Sequence, residues 1–518
     1  MATAAILGVL FAGPLAASAA YQHHGESDAP NLISAYPSKA GTKLDSCTLC
    51  HTGGSVTSGT KTTVYGSCQW CHYTYGYVAP HGDISATLNP YGKDYLEAGR
   101  SVAALKAIEP KDSDGDGFTN VAEITATRYP GDAGDDPTKV VAPFVVFGKD
   151  RLEAMPQHSQ FLLMNTTKSG DYYAEYSGVV MQDLLKRARV TSAATKVTAF
   201  APDGYAQGHP LDDSVSNTGK AYAPYVNGTY PAATYFYDPT ADKANGGWCD
   251  YSSPGAAGRG SGDPIEIEGG LRLLLALRAE GKDLVPGALD STNKLKSGTE
   301  GPFRVITPQK LVGPPDQAST ASDPNRLWAY SDGADHNAGF STKSTTVIRV
   351  EPLPAGTTDI DVLEAGWSYI DQEKIVVYGA LEQLPLVHPA DGGRTPFRRV
   401  TLTWTRVRDP DPAAKVAYTL EYTSGDPVTG PWTATTVETA SPMPALGPGA
   451  SFLTALMGEA MLPACSGGWD DLLPGFGRRS VVSETVRLER HTKYHWRVTA
   501  DGPNSHNVSP VWSFTTGG

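Results

Sequence analysis

Two short stretches hold the residues best suited to chemistry, Cys47-Thr48-Leu49-Cys50-His51 and Cys68-Gln69-Trp70-Cys71-His72. Each is a C-x-x-C-H motif. Two thiols at that spacing can add to the two vinyl groups of one haem, and the adjacent imidazole then reaches the iron as proximal ligand. Four such cysteines without the histidines would equally suit a structural zinc or disulfides. A histidine at the same offset after both pairs favours two covalent haems c, with zinc or disulfides as the alternative. No βαβ pattern surrounds either pair, which disfavours thioredoxin-like redox chemistry.

An iron that shuttles electrons takes a sixth ligand, usually His or Met. No Met lies between Met1 and Met155, whereas His23, His24 and His81 flank the motifs. The expectation is bis-histidine ligation, with His51 and His72 proximal and His23, His24 and His81 competing for the two distal positions. For any one of these three, a solvated surface role is the alternative. The closeness of the motifs implies neighbouring haems.

Downstream, Asp112-Ser113-Asp114-Gly115-Asp116-Gly117-Phe118-Thr119-Asn120-Val121-Ala122-Glu123 has the spacing of an EF-hand-type loop. Oxygen ligands would come from Asp112, Asp114, Asp116, the Phe118 carbonyl, Asn120 directly or through water, and bidentate Glu123, with Gly117 making the sharp turn. A solvated acidic turn is the alternative. No pair of long amphipathic helices flanks the loop, so one structural Ca²⁺ that fixes the chain's exit from the haem segment is expected, rather than a sensor.

These residues must be positioned by a chain of 518 residues, long enough for roughly three domains of about 150 residues. The first residues, Ala4 to Phe11, are apolar and lead to Ala16-Ala17-Ser18-Ala19-Ala20, a signal-peptide pattern that lacks the usual preceding Lys or Arg. Export to the periplasm or cell surface is expected, with residues 1–20 removed. No later run approaches the ~18 apolar residues of a membrane span. The net charge of -13 argues against nucleic acid as a partner.

Residues 21–140, dense in Gly, Pro, Asn and Asp, read as a small haem-organised α domain with its calcium loop. The run Leu88-Asn89-Pro90-Tyr91-Gly92-Lys93-Asp94-Tyr95, on to Tyr129-Pro130-Gly131-Asp132, resembles small exported bacterial haem proteins. Residues 141–395 mix strand-like runs such as Phe144 to Phe147 with helical patches such as Val180 to Leu185, an α+β pattern. The order Tyr176-Ser177-Gly178-Val179, Asp183-Leu184-Leu185, Val197 to Tyr205 and Gly301-Pro302-Phe303-Arg304-Val305 resembles the sulfite-oxidase-type fold. That family holds molybdenum through a cysteine ahead of the Ser-Gly-Val segment. The corresponding stretch Phe161 to Thr167 has none, which implies the fold without the cofactor. Cys249 is read as a disulfide partner of Cys465 or an inert buried thiol. His158, His209 and His336 are read as structural or surface residues, and Asp203-Gly204 as a turn.

The combination Ser297-Gly298-Thr299-Glu300-Gly301-Pro302-Phe303-Arg304-Val305, Gly313-Pro314-Pro315-Asp316 and Asp335-His336-Asn337-Ala338 resembles the GEGP-motif multihaem cytochromes of metal-respiring bacteria, with Thr299 replacing the motif's first Gly. This resemblance implies extracytoplasmic electron transfer. Residues 396–518 alternate cleanly in Val400 to Trp404, Tyr418 to Tyr422 and Tyr494 to Val498, the pattern of strands. Tyr494-x-Trp496-x-Val498 and Trp512-x-Phe514 resemble a fibronectin type III or immunoglobulin-like sandwich. The Gly- and Pro-rich stretch from Ala440 to Arg479 interrupts it as a long insertion.

The whole is expected to be a multidomain electron-transfer protein, passing electrons between other cytochromes or to an extracellular acceptor, as an oligomer or filament in some settings. Two other readings stay open. One is an oxidoreductase whose middle domain acts on a substrate and feeds the haems. The other is a haem-based sensor or binding protein.

Overall fold

The computed structural model describes residues 27–58, 61–65, 67, 70, 71, 74, 84–202, 205–212, 225–230, 233–238, 240, 248–288, 295–321, 327–331, 333–360, 367–407, 409–411, 414–427, 431–440 and 481–517. The chain is β-rich, with several sheets and seven helices among those residues. It divides into two compact units, Met1–Val141 with Gly148–Val377, and Ala142–Phe147 with Tyr378–Gly518. No described helix is long and apolar enough to cross a membrane.

The first unit begins with four short helices, Asp28–Ala35, Pro90–Glu97, Val102–Ala107 and Asn120–Ala126. Their ends are written in local chemistry. Asn89 accepts the Gly92 N–H at 2.8 Å with Pro90 in the first helical turn, and Ser101 accepts the Ala104 N–H at 3.1 Å. Thr127 stops the last helix in the left-handed region at φ 58. Leu44, Leu49, Tyr91, Leu105, Ile108 and Ile124 bury together, so this segment has a protein core of its own.

That core is fastened to the strands beyond it by a buried charge. Lys43 is fully buried, and its ammonium lies 2.6 Å from Asp135 and 3.0 Å from the Thr358 hydroxyl. Tyr129 donates to the Lys43 carbonyl at 3.1 Å. Val140–Val141 then pairs in parallel with Thr357–Thr358. Removing one partner of such a pair strands the other charge in the interior, at a cost of about 3 to 5 kcal/mol.

The rest of the first unit is organised by two sheets. In one, Asp171–Val180 runs antiparallel to His158–Met164 and to Leu274–Ala279, which also pairs with Arg304–Ile306. Leu274 to Leu277 are all buried, which explains a run with no alternation. Arg304, 1% exposed on the Arg304–Ile306 strand of this sheet, donates to Tyr176 at 2.8 Å and Tyr172 at 3.2 Å and pairs with Glu300, which also holds Lys343. The Glu300-Gly301-Pro302-Phe303-Arg304 motif therefore closes an ion pair whose guanidinium is buried and whose carboxylate is half-buried. In the other sheet, Lys196–Phe200 runs between Ala206–Pro210 and Val347–Glu351.

His209 sits on that sheet, wholly buried, with neither ring nitrogen hydrogen-bonded. Burial pushes its pKa down from the ordinary 6.5 to about 3. The unfolded chain therefore takes up a proton below pH 6.5 that the folded chain refuses until near pH 3, so this contribution is complete above pH 6.5 and is lost on acidification. The slope is about 1.4 kcal/mol per pH unit. Denaturant unfolding at pH 7 and pH 5 is expected to show a loss about 2 kcal/mol smaller in His209→Leu than in the parent chain.

In the second unit, Arg399–Thr405 lies between Leu386–His388 and Val481–Arg487. A second sheet has Lys493–Gly502 paired with Val416–Thr423, Ser505–Val508 and Trp512–Thr516. Both sheets supply one core, in which Trp404, Tyr418, Leu420, Trp496, Val498 and Phe514 are essentially unexposed. The alternation seen in Val400-Thr401-Leu402-Thr403-Trp404 is the inward and outward pleat of one strand. Of the insertion, residues 441–479, Cys465 included, lie outside the described residues.

Candidate functional site

The first C-x-x-C-H motif forms a tight turn. Cys47–Leu49 is a single 3₁₀ turn whose entrance is capped by Ser46, which accepts the Thr48 N–H at 3.1 Å. The Cys50 and His51 N–H groups both return to the Cys47 carbonyl, at 3.2 and 2.9 Å. Both thiols of the motif are half-buried. Such a turn brings two thiols and an imidazole close together, the donor set that a covalently attached haem requires.

A second segment, residues 84–92, locks this turn in place. Asn89 donates its backbone N–H to the Cys50 carbonyl at 2.9 Å and its side-chain amide to Leu49 at 2.9 Å and Thr48 at 3.3 Å. One asparagine therefore caps a helix and docks it on the motif. Gly92 completes the fit, because a Cβ there would lie 2.2 Å from the Cys50 carbonyl oxygen. Were both motifs to carry covalent haem, Gly92→Ala would push the helix off the turn and lower occupancy at Cys47 and Cys50 several-fold, leaving the second motif loaded. Haem stoichiometry on the purified variant checks this.

His51 forms a β-bridge with Leu88, and its Nδ1 lies 2.7 Å from the Thr87 hydroxyl oxygen. With the proton on Nδ1 donated to Thr87, Nε2 presents its lone pair, the form in which a histidine ligates a metal.

Of the second motif, Trp70 and Cys71 are described, whereas Cys68 and His72 are outside the described residues, as are His23, His24, His81, the apolar leader and Asp203-Gly204. Residues at and just before the second motif lie against the first motif and the strand Gly54–Ser58 that follows it. The Thr48 and Ser67 hydroxyls meet at 2.7 Å, and Trp70 lies so close to Gly54 that a Cβ there would come within 2.2 Å of it. Burial, and then the nearby Cys47 thiol, pushes the Cys71 thiol up.

The acidic loop gathers negative charge around one centre. Asp112 accepts the Gly115 and Gly117 N–H groups at 2.8 and 2.9 Å, and Asp116 accepts that of Phe118 at 2.8 Å. Gly117, at φ 100, takes the turn that a side chain would resist. Carboxylate oxygens of Asp112, Asp114 and Asp116 lie within 4.8 Å of one another. Glu123 is wholly buried with both oxygens unpartnered, and one oxygen each of Asp114 and Asp116 is buried and unpartnered too. Burial, then the Asp114, Asp116, Asp112 and Asp135 carboxylates, pushes Glu123 up to about 9. Three carboxylates with unpartnered oxygens, Asp114, Asp116 and Glu123, gathered beside Asp112, fit a hard divalent cation. Asn120 braces the loop, accepting the Ser113 N–H at 3.2 Å and donating to the Ile108 carbonyl at 2.8 Å.

No family model and no curated protein matches the chain.

The middle of the first unit contains a polar cluster that sequence reasoning missed. Asp316 is buried, with one oxygen taking the Ser331 N–H at 2.9 Å and facing His336 Nε2 at 3.3 Å, and the other unpartnered. His336 stacks on Tyr330 with ring centroids 4.9 Å apart. The buried Asn165 side-chain amide faces the Asp316 carboxylate. Asp171, pushed up to about 7 chiefly by burial, accepts the Asp316 and Thr166 N–H groups at 2.9 and 2.7 Å. These residues are far apart in sequence, and only the Asp316 and His336 motifs hinted at them. Cys249 is buried elsewhere, its sulfur 3.8 Å from the Asp250 carbonyl.

Proposed function

We propose that this chain is an exported c-type cytochrome that carries two covalent haems and moves electrons. The observation that carries the reading is His51, whose Nδ1 is engaged by Thr87 at 2.7 Å beside two half-buried thiols, which supports iron ligation through Nε2. Bound haem supplies the one-electron chemistry. The chain's part is attachment through Cys47, Cys50, Cys68 and Cys71, proximal ligation by His51 and His72, and distal ligation from among His23, His24 and His81. The Ser67–Thr48 contact and the nearness of the Cys47 and Cys71 thiols support neighbouring haems and an electron hop between them.

In this reading the loop of Asp112, Asp114, Asp116, Phe118, Asn120 and Glu123 holds one structural Ca²⁺, supported by the unpartnered oxygens of Glu123. Residues 21–140 are a haem-organised α domain. Residues 141–395 are an α+β domain of sulfite-oxidase type without molybdenum, and residues 396–518 a fibronectin type III-like sandwich, supported by the two-sheet core around Trp404 and Trp496. The redox partners are other cytochromes or an extracellular acceptor, in the periplasm or at the cell surface, as in the GEGP-motif multihaem cytochromes.

Expression in a host with c-type haem maturation tests the reading, through pyridine haemochrome stoichiometry and reduced-state spectra with and without CO. Two covalent haems with no CO response are expected of six-coordinate carriers. Zero haems overturns the proposal, and strong CO binding moves it to a sensor or enzyme.

The Asp316–His336 contact favours a second reading, an oxidoreductase whose middle domain feeds the haems. A carboxylate that orients an imidazole is an acid–base device. An enzyme of this kind loses substrate-driven haem reduction in Asp316→Asn, whereas a simple carrier is reduced by dithionite equally well with either residue.

A further inference from the structure

We propose that Thr87 positions the proximal imidazole of the first haem and sets that haem's reduction equilibrium, an inference that rests on the cytochrome reading above. Thr87 closes the Ile84–Thr87 turn and is 2% exposed. Its hydroxyl oxygen lies 2.7 Å from His51 Nδ1. The hydroxyl is held there by its backbone. The Thr87 carbonyl takes the Thr52 N–H at 2.8 Å and the Thr52 hydroxyl at 3.2 Å, and the Asn89 N–H is bonded to the Cys50 carbonyl at 2.9 Å. Residues 50–52 and 87–89 thus run side by side across the His51–Leu88 bridge, and the contact between ring and hydroxyl lies between two backbone ties.

A metal-bound imidazole that donates from Nδ1 to a fixed acceptor becomes more basic at Nε2 and keeps one ring orientation. A more basic ligand favours the ferric over the ferrous state. A threonine hydroxyl is a weaker acceptor than a carboxylate, so it holds the equilibrium at an intermediate setting that a substitution can move in either direction. Because Thr87 is buried, water is poorly placed to replace a deleted hydroxyl.

The test uses the full-length holoprotein with both haems, followed by spectroelectrochemical titration and low-spin electron paramagnetic resonance at constant pH. Thr87→Val is expected to shift one haem's equilibrium about tenfold toward the reduced form, which is about 59 mV for a one-electron couple, and to leave the other haem unchanged. Thr87→Ser restores the parent value. Thr87→Asp, which keeps an acceptor oxygen should Val impair loading, shifts the same haem the opposite way. Unchanged potentials in the Val or Asp variant, each with two haems bound, overturn the role of Thr87 and leave the cytochrome reading intact, as does a Ser variant that behaves like Val. Absence of haem from the parent protein overturns the cytochrome reading itself, and stoichiometry reports it before any titration.

Discussion

Replacing Cys47 and Cys50 together by Ala is expected to halve the covalent haem, from two per chain to one, with the remaining haem on Cys68 and Cys71. In the proposed cytochrome the thioether bonds would be the only covalent link between haem and chain, so removal of both thiols would eliminate that attachment whatever else survives. Pyridine haemochrome absorbance per chain, with intact-mass measurement, reads the result. A zinc site predicts a different outcome. Four thiolates sharing one ion would leave no haem absorbance in the parent chain, and the double variant would lose its zinc altogether instead of keeping half of anything. Disulfides predict neither metal nor haem, and thiol titration that depends on reductant. The turn at Cys47–Leu49 and the hydroxyl beside His51 Nδ1 are what make the haem outcome the expected one.

Calcium removal is expected to have the second large effect, and its sign should reverse in one variant. A ligand present at about 100 to 1,000 times its Kd stabilises the folded state by about 2.7 to 4.1 kcal/mol, so chelation should lower the thermal midpoint by several degrees. Glu123→Gln removes the bidentate carboxylate and with it most of that gain. In chelator the order should invert. Burial and the Asp114, Asp116 and Asp112 carboxylates push Glu123 up to about 9, so in chelator near neutral pH the folded chain must bind a proton there that the unfolded chain does not, and a neutral amide avoids that cost. Thermal melts of parent and variant, each with calcium and with chelator, give the four midpoints. A parent chain indifferent to calcium would identify the loop as a solvated acidic turn.

The effect should reach the first C-x-x-C-H motif through defined contacts. The helix Asn120–Ala126 carries Glu123 and ends at Thr127, and the following residues supply Tyr129 and Asp135 to Lys43, four positions before Cys47. Loss of the proposed cation would therefore loosen the segment that anchors the motif's entrance.

Several features were legible in the residues themselves because they depend on near neighbours. Cysteine and histidine spacing within five residues marks both motifs, and the twelve-residue acidic loop carries its own turn glycine. Alternation in Val400 to Trp404 identifies a strand because the pleat places every second residue inside. Spacing is a local property, and these readings needed nothing more.

Contacts between distant segments were not legible. Thr87 as the partner of His51, Asn89 as a clamp on the motif, and Gly92 against the Cys50 carbonyl all depend on the chain folding back across more than thirty residues. The same holds for Asp316 beside His336 and Asn165, and for Lys43 with Asp135 and Thr358. A polar residue in sequence carries no sign of whether it will be buried, and its chemistry follows from burial and partner. The sequence by itself determined which residues can bind a cofactor or a cation. Tertiary structure decided which of their polar atoms are already engaged and which are left for a ligand, because only packing removes water from a group and sets another beside it.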